Sequence, residues 1–178
     1  MIRKAKLPDI EDAADIWLEA NIKAHDFIPA DYWEAQFKTV KELLAQAELY
    51  VYEGDGQDSR EQRKAGGRAG TQPDTMVQIS EKKRVIRGFI GMNGDHIEGI
   101  FVQAAERSKG IGKALIDHVK SIKDRLTLNV YQKNERARKF YEREGFVIQG
   151  EGTDPQTGET DLFMVWDRGT AINTGDER

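Results

Sequence analysis

Arg107-Ser108-Lys109-Gly110-Ile111-Gly112-Lys113 follows a run with strand character and opens a helix. Two glycines at that bend let backbone N–H groups approach an anion with no Cβ in the way. The helix that follows aims the positive end of its dipole at the same point. Arg107, Lys109 and Lys113 add charge-assisted contacts, so the whole segment from Arg107 through Ser108, Lys109, Gly110, Ile111 and Gly112 to Lys113 reads as a pyrophosphate-binding loop. The competing reading is a strand-to-helix turn that holds no ligand. Spacing excludes two other phosphate loops. A P-loop needs Ser or Thr after its Gly-Lys pair, and Ala114 stands there. A dinucleotide fingerprint needs a third glycine, which Lys113-Ala114-Leu115 does not supply.

A second pattern lies downstream. Asn134, Ala137, Phe140, Tyr141, Gly145 and Phe146 form N-x-x-A-x-x-F-Y-x-x-x-G-F, and a strand-like run at 126–131 separates this pattern from the loop. Together, R-x-x-G-x-G and this pattern resemble the acyl-coenzyme A loop and the following helix of the GNAT N-acetyltransferase superfamily. The resemblance spans about residues 2–166 apart from one insertion, and His25-Asp26-Phe27-Ile28 and Tyr32-Trp33 are similar to a subgroup of small bacterial members.

Composition sets the outer bounds. A chain of 178 residues suits one domain with a full core. Its 27 basic and 31 acidic residues leave a net charge of −4, which gives no global field favouring nucleic acid or an anionic membrane. The absence of cysteine excludes disulfides, thiolate metal sites and a cysteine acyl-enzyme. No apolar run approaches the roughly 18 residues of a membrane span, and the first residues lack the apolar stretch of a signal peptide. The expectation is a soluble cytoplasmic protein, monomer or homodimer, with no metal.

Periodicity predicts helices at 8–23 and 30–47, the first carrying Ile10, Ala13, Ala14, Trp17 and Leu18 on one face. Strands are expected at 2–5, 48–53, 85–92 and 97–102. A further helix begins near residue 110, strand five covers 126–131, a helix covers 134–144, and strands at 146–150 and 161–166 close the chain. Residues 54–84, rich in glycine and charge, read as a flexible insertion within a hairpin, with 76–79 as an optional short strand and Lys82-Lys83-Arg84 as solvated surface. Residues 1–167 form the expected domain and 168–178 a frayed tail. The fold class is mixed α/β. The GNAT resemblance implies a mainly antiparallel sheet splayed between strands four and five, flanked by about four helices, with the pantetheine arm of acetyl-CoA in the resulting V.

The same resemblance implies the chemistry: an amine attacks the acetyl thioester of acetyl-CoA directly, in a ternary complex. Backbone groups of Ile100, Phe101 and Val102 would pair with pantetheine, although core packing would also explain those side chains. Tyr141 would protonate the departing thiolate, since a phenol of pKa about 10 keeps its proton at neutral pH; the rival role is a core aromatic. Asn134 would bind the cofactor, cap its helix, or both. Some members carry a glutamate five residues before this asparagine, where the present chain has Asn129. The base expected instead is Glu98, acting directly or through water. Strand alternation puts His96 and Glu98 on the face of Ile100 and Val102 unless a bulge intervenes. His96 and His25 are candidate acceptor contacts, His25 equally suited to satisfying a loop carbonyl. The acceptor is a small-molecule amine or a peptide or protein amine. A non-catalytic acyl-CoA sensor is the alternative, and an unrelated α/β phosphate binder the third reading.

Overall fold

In a computed structural model, residues 1–55 and 84–169 are described. They form strands β1 (Ile2–Lys4), β2 (Glu48–Asp55), β3 (Arg84–Asn93), β4 (His96–Val102), β5 (Arg125–Tyr131), β6 (Val147–Thr153) and β7 (Thr160–Asp167). The helices are α1 (Ile10–Ala24), α2 (Ala30–Leu44), α3 (Ile111–Ile122) and α4 (Glu135–Arg143). One seven-stranded sheet runs in the order β1-β2-β3-β4-β5-β7-β6. Neighbours are antiparallel except β4 and β5, which are parallel. The mixed α/β class, the four helices and the mainly antiparallel sheet agree with the sequence expectation.

Two apolar layers hold the sheet. On one face α1 and α2 bury Ala13, Ala14, Trp17 and Trp33 against Leu49, Val51 and Phe89. On the other, α3 and α4 bury Leu115, Ile116, Val119 and Tyr141 against Ile90, Met92, Leu128 and Met164. Leu126, Leu128 and Val130 alternate into that second layer, as the period-two pattern of β5 requires.

Element ends differ from the periodic reading where local hydrogen bonds win. Pro8 lies in a 3-10 turn at Leu7–Asp9. There the Asp9 carboxylate accepts the Lys6 N–H (2.6 Å) and pairs with Arg3, so α1 starts at Ile10. Both strands of the β2–β3 hairpin run further than expected, to Asp55 and from Arg84. The rest of the expected insertion, with the optional strand at 76–79, lies outside the described residues, as does the tail from 170. Arg168 is ordered instead: its guanidinium donates to the carbonyls of Lys120 (2.8 Å) and Lys123 (3.0 Å).

The largest register change is in β4. Gly91 pairs with Gly99, but Met92 pairs with Ile97, so Glu98 is an extra residue in a β-bulge. Ile97 consequently packs in the same layer as Ile100 and Val102, while Phe101 faces the α1–α2 layer. The bulge breaks the alternation, and His96 does not share a face with Ile100 and Val102.

Candidate active site

β4 and β5 are hydrogen-bonded neighbours only at His96↔Thr127 and Ile97↔Leu128. Beyond that point they diverge. The bulge at Glu98 turns β4 away, and from Gly99 to Val102 its strand partner among the described residues is β3. A cleft of about 1010 Å³ fills the V between the strands, bounded also by the 107–113 loop, α4, the α1–α2 connection and the β6–β7 turn.

The loop end of the cleft is built from backbone. Gly110 caps α3 at φ +82°, a conformation that suits glycine, and Ser108 also has positive φ. Ala114 N–H bonds the Gly110 carbonyl (2.9 Å), the first closure of the helix. The N–H groups of Ile111, Gly112 and Lys113 therefore precede the intrahelical ladder at the cleft wall. The two glycines differ. A Cβ on Gly110 would meet nothing within 4 Å, so conformation is its requirement. A Cβ on Gly112 would lie 3.5 Å from the Phe140 ring, an ordinary contact, so neither space nor backbone conformation demands glycine there. Ile111 belongs to the core cluster and also lines the cleft.

The cationic side chains of the loop have protein partners. Arg107 Nε donates to the Val102 carbonyl (3.3 Å), Lys109 lies 3.3 Å from Glu106, and Lys113 is 2.9 Å from Asp117. Arg107 and Lys113 line the cleft, whereas Lys109 is outside its lining. Arg136, which sequence reasoning missed, also lines it and donates to Ser108 Oγ (3.4 Å). Its position one helical turn before Phe140 was the available signal.

Tyr141 lines the cleft from α4, 7% exposed, with Phe140 and Phe146 packed edge-on at 5.3 and 5.7 Å. Burial pushes its phenol above the usual 10, so the hydroxyl keeps its proton throughout the neutral range. Asn134 caps α4, its Oδ1 accepting the Ala137 N–H (3.1 Å). Asn134 is thus the cap of α4 and Tyr141 part of its core packing, and both line the cleft.

The other wall is made of side chains. Glu98 is exposed and lines the cleft at the bulge. His96 is outside the lining, at the closed end of the V, with Nδ1 2.8 Å from Thr127 Oγ1. His25 lines the cleft from the α1–α2 connection, its ring stacked on Trp33 (5.3 Å) and edge-on to Tyr131 (5.1 Å) and Phe27 (5.6 Å). Burial pushes His25 down to about 4, so the imidazole is neutral and a poor base at pH 7. Asn129 donates to Asp161 Oδ2 (2.6 Å), and both line the cleft. Asp161 was missed by sequence reasoning. It pairs with Tyr131 across β5 and β7, one diagonal step from Asn129, so only the strand register reveals it. Tyr131 donates to Asp154, and Tyr32 to Gln156 (2.7 Å), fastening the β6–β7 turn over the aromatic wall. Burial would raise the Asp154 carboxyl, but the Tyr131 hydroxyl and the Gln156 N–H outweigh it and hold the group below its ordinary range.

An acyl-coenzyme A fits this arrangement: among the described residues the first N–H groups of α3 have no backbone partner and face an open turn, and β4 beyond Ile97 borders the cleft without β5 beside it. Residues 73–148 match the family described as acetyltransferase (GNAT) domain. The peptidyl-lysine N-acetyltransferase YiaC of Escherichia coli K12 is 30% identical over 168 residues, 93% of this chain and 96% of YiaC. The chain belongs to the GNAT acetyltransferase family. It is an N-acetyltransferase, and acetyl-CoA is the co-substrate of GNAT enzymes. The solution structure of apo YjaB from Escherichia coli superposes with a TM-score of 0.69 at 24% identity, covering 93% of this chain and 96% of YjaB. YncA of Salmonella typhimurium, solved with acetyl-CoA, shares the fold at a TM-score of 0.53 and 15% identity over 100% of this chain and 95% of its own. Among the described residues no helix is long and apolar enough to cross a membrane, and no cluster of His, Asp and Glu could hold a metal ion.

Proposed function

We propose that this GNAT enzyme moves the acetyl group of acetyl-CoA to the side-chain amine of a peptidyl lysine by direct attack within a ternary complex. The observation that carries the proposal is the composition of the cleft's two ends. One end offers unpaired backbone N–H groups to an anion; the other offers Glu98, Asp154 and Asp161 beside aromatic rings to a cationic amine with an apolar stem. The kinship with a peptidyl-lysine acetyltransferase supports the same acceptor.

Acetyl-CoA supplies the activated acetyl thioester. The first turn of α3, from Ile111 to Lys113, holds the diphosphate, with Arg107, Ser108, Gly110 and Arg136 around it and Lys109 outside the lining. The free edge of β4 at Ile100, Phe101 and Val102 carries the pantetheine arm. Fixing both ends places the thioester carbon near the amine and replaces a bimolecular encounter with a local one. Asp161, oriented by Asn129, and Glu98 draw in the lysine ammonium. Glu98 then removes its proton, directly or through water, because only the neutral amine attacks. Tyr141 donates its proton to the sulfur as the carbon–sulfur bond breaks, and the second proton of the attacking nitrogen, lost as the amide forms, returns through water to the phenolate. Of the two protons that leave the ammonium, one goes to Glu98 and the other replaces the one given to coenzyme A.

Incubation of the protein with acetyl-CoA and a lysine-containing peptide library, followed by thiol release and mass spectrometry, tests this reading. Acetylated lysine side chains with stoichiometric free coenzyme A are expected. Tight coenzyme A binding with no thiol released by any amine would leave the non-catalytic sensor as the better reading. Acetylation confined to polyamines would retain the transferase and discard the peptide acceptor.

A further inference from the structure

Asn134 has a carboxamide with two N–H donors and two acceptor lone pairs, and one of each is spent inside the protein. Its Oδ1 accepts the Ala137 N–H at the start of α4 (3.1 Å). Its Nδ2 lies 3.1 Å from His25 Nε2. Rotating the amide by 180° would set Nδ2 against the Ala137 N–H, donor against donor, so the cap fixes which end is which. His25 Nε2 must then be the acceptor, and the ring proton resides on Nδ1. That nitrogen is buried with no hydrogen-bond partner among the described residues. The ring itself is held by Trp33, Tyr131 and Phe27. Among the described residues, the second Nδ2 hydrogen has no protein partner, and Asn134 lines the cleft.

We propose that His25 is a positioning residue for acetyl-CoA: its Nε2 takes one N–H of the Asn134 carboxamide and thereby directs the other into the cleft, toward an amide carbonyl of the pantetheine arm. His25 thus acts on the co-substrate from the wall that otherwise faces the acceptor. The inference rests on the reading of Asn134 as a cofactor contact. Neutrality of the buried imidazole supports it, since a proton on Nε2 would oppose the amide instead of accepting from it.

Three variants separate the possibilities. His25→Phe keeps a ring against Trp33 and removes the acceptor. His25→Gln restores an acceptor without the ring. Asn134→Ser keeps a capping oxygen and removes Nδ2. Titration calorimetry with coenzyme A should show about a three- to tenfold weaker Kd for His25→Phe, the worth of one hydrogen bond. With acetyl-CoA, KM should rise in parallel while kcat stays within about twofold, and His25→Gln should recover most of the loss. In the Asn134→Ser background, His25→Phe should add nothing. An unchanged Kd for His25→Phe, or an equal loss in both backgrounds, overturns the proposal. Unchanged affinity in Asn134→Ser alone would instead remove Asn134 from the cofactor site, and the proposal with it. If His25→Phe does not fold, imidazole nitrogen shifts of the unaltered protein decide: Nδ1–H is expected, and an Nε2–H tautomer overturns the proposal.

Discussion

The two ends of the cleft are made by different means. At the 107–113 loop the wall rests on backbone, a left-handed glycine, the first turn of α3 and the edge of β4, with Arg107, Lys113 and Arg136 around it. At the other end, where the proposed acceptor would sit, it is made of side chains from four separate segments, with His25, Glu98, Tyr131 and Asp161 meeting only after the sheet is assembled. An unvarying co-substrate suits the first construction, because backbone geometry admits few alternatives. A protein acceptor suits the second, because each contributing side chain changes independently of the fold.

On that division, the largest loss should come where the two ends meet. Tyr141→Phe should lower kcat by roughly ten- to a thousandfold with coenzyme A affinity nearly unchanged, in line with removal of one proton donor. Equal loss of binding in calorimetry would make the residue structural. Next in size is the loop's own backbone. Gly110→Val forces a branched side chain into φ +82°, a strain of about 1–2 kcal/mol, and should weaken coenzyme A about tenfold. Gly112→Ala should remain within about twofold, since its Cβ would find ordinary contact with Phe140. Similar losses at both glycines would erase the distinction between them.

The acceptor end should respond more gently. Glu98→Gln and Asp161→Asn should each raise the KM for a lysine peptide about two- to fivefold, the range for one charge in a wet site, while the coenzyme A Kd holds. Glu98→Gln should also lower kcat if it serves as the base, whereas Asp161→Asn should not. A shift in coenzyme A affinity from either variant would blur the boundary.

A further effect concerns pH. The imidazole of His25 is pushed down to about 4 from an ordinary 6.5, so the unfolded chain takes up its proton first. The contribution is fully present above pH 6.5 and is lost as pH falls from there toward 4. Urea midpoints should decline through that window in the unaltered protein and decline less in His25→Phe. Asp9 and Asp154, both held below 3.8, act only at lower pH.

The same contrast explains what the sequence made legible. The loop and the N-x-x-A-x-x-F-Y helix are local: a glycine turn, a helix start and a capping asparagine lie within a few residues of one another. The divergence of β4 and β5 came with the family resemblance. His96 was grouped with Glu98 because alternation is blind to a bulge, and the extra residue at Glu98 changes which side chains share a face. Asp161 stayed hidden because its partnership with Asn129 depends on β7 pairing with β5 across 32 positions of sequence. The His25–Asn134 contact spans 109 positions, beyond any local pattern.

β7 lies between β5 and β6, so the strand that follows β6 in the chain is interior to the sheet. During synthesis the ribosome would release the loop, α4 and both motif segments before β5 has its antiparallel neighbour. β1 through β4 form from consecutive pairings, but the far wall of the V waits for residues 160–167. A nascent chain would therefore carry both sequence motifs and still lack the far wall of the cleft until β7 slides into the gap.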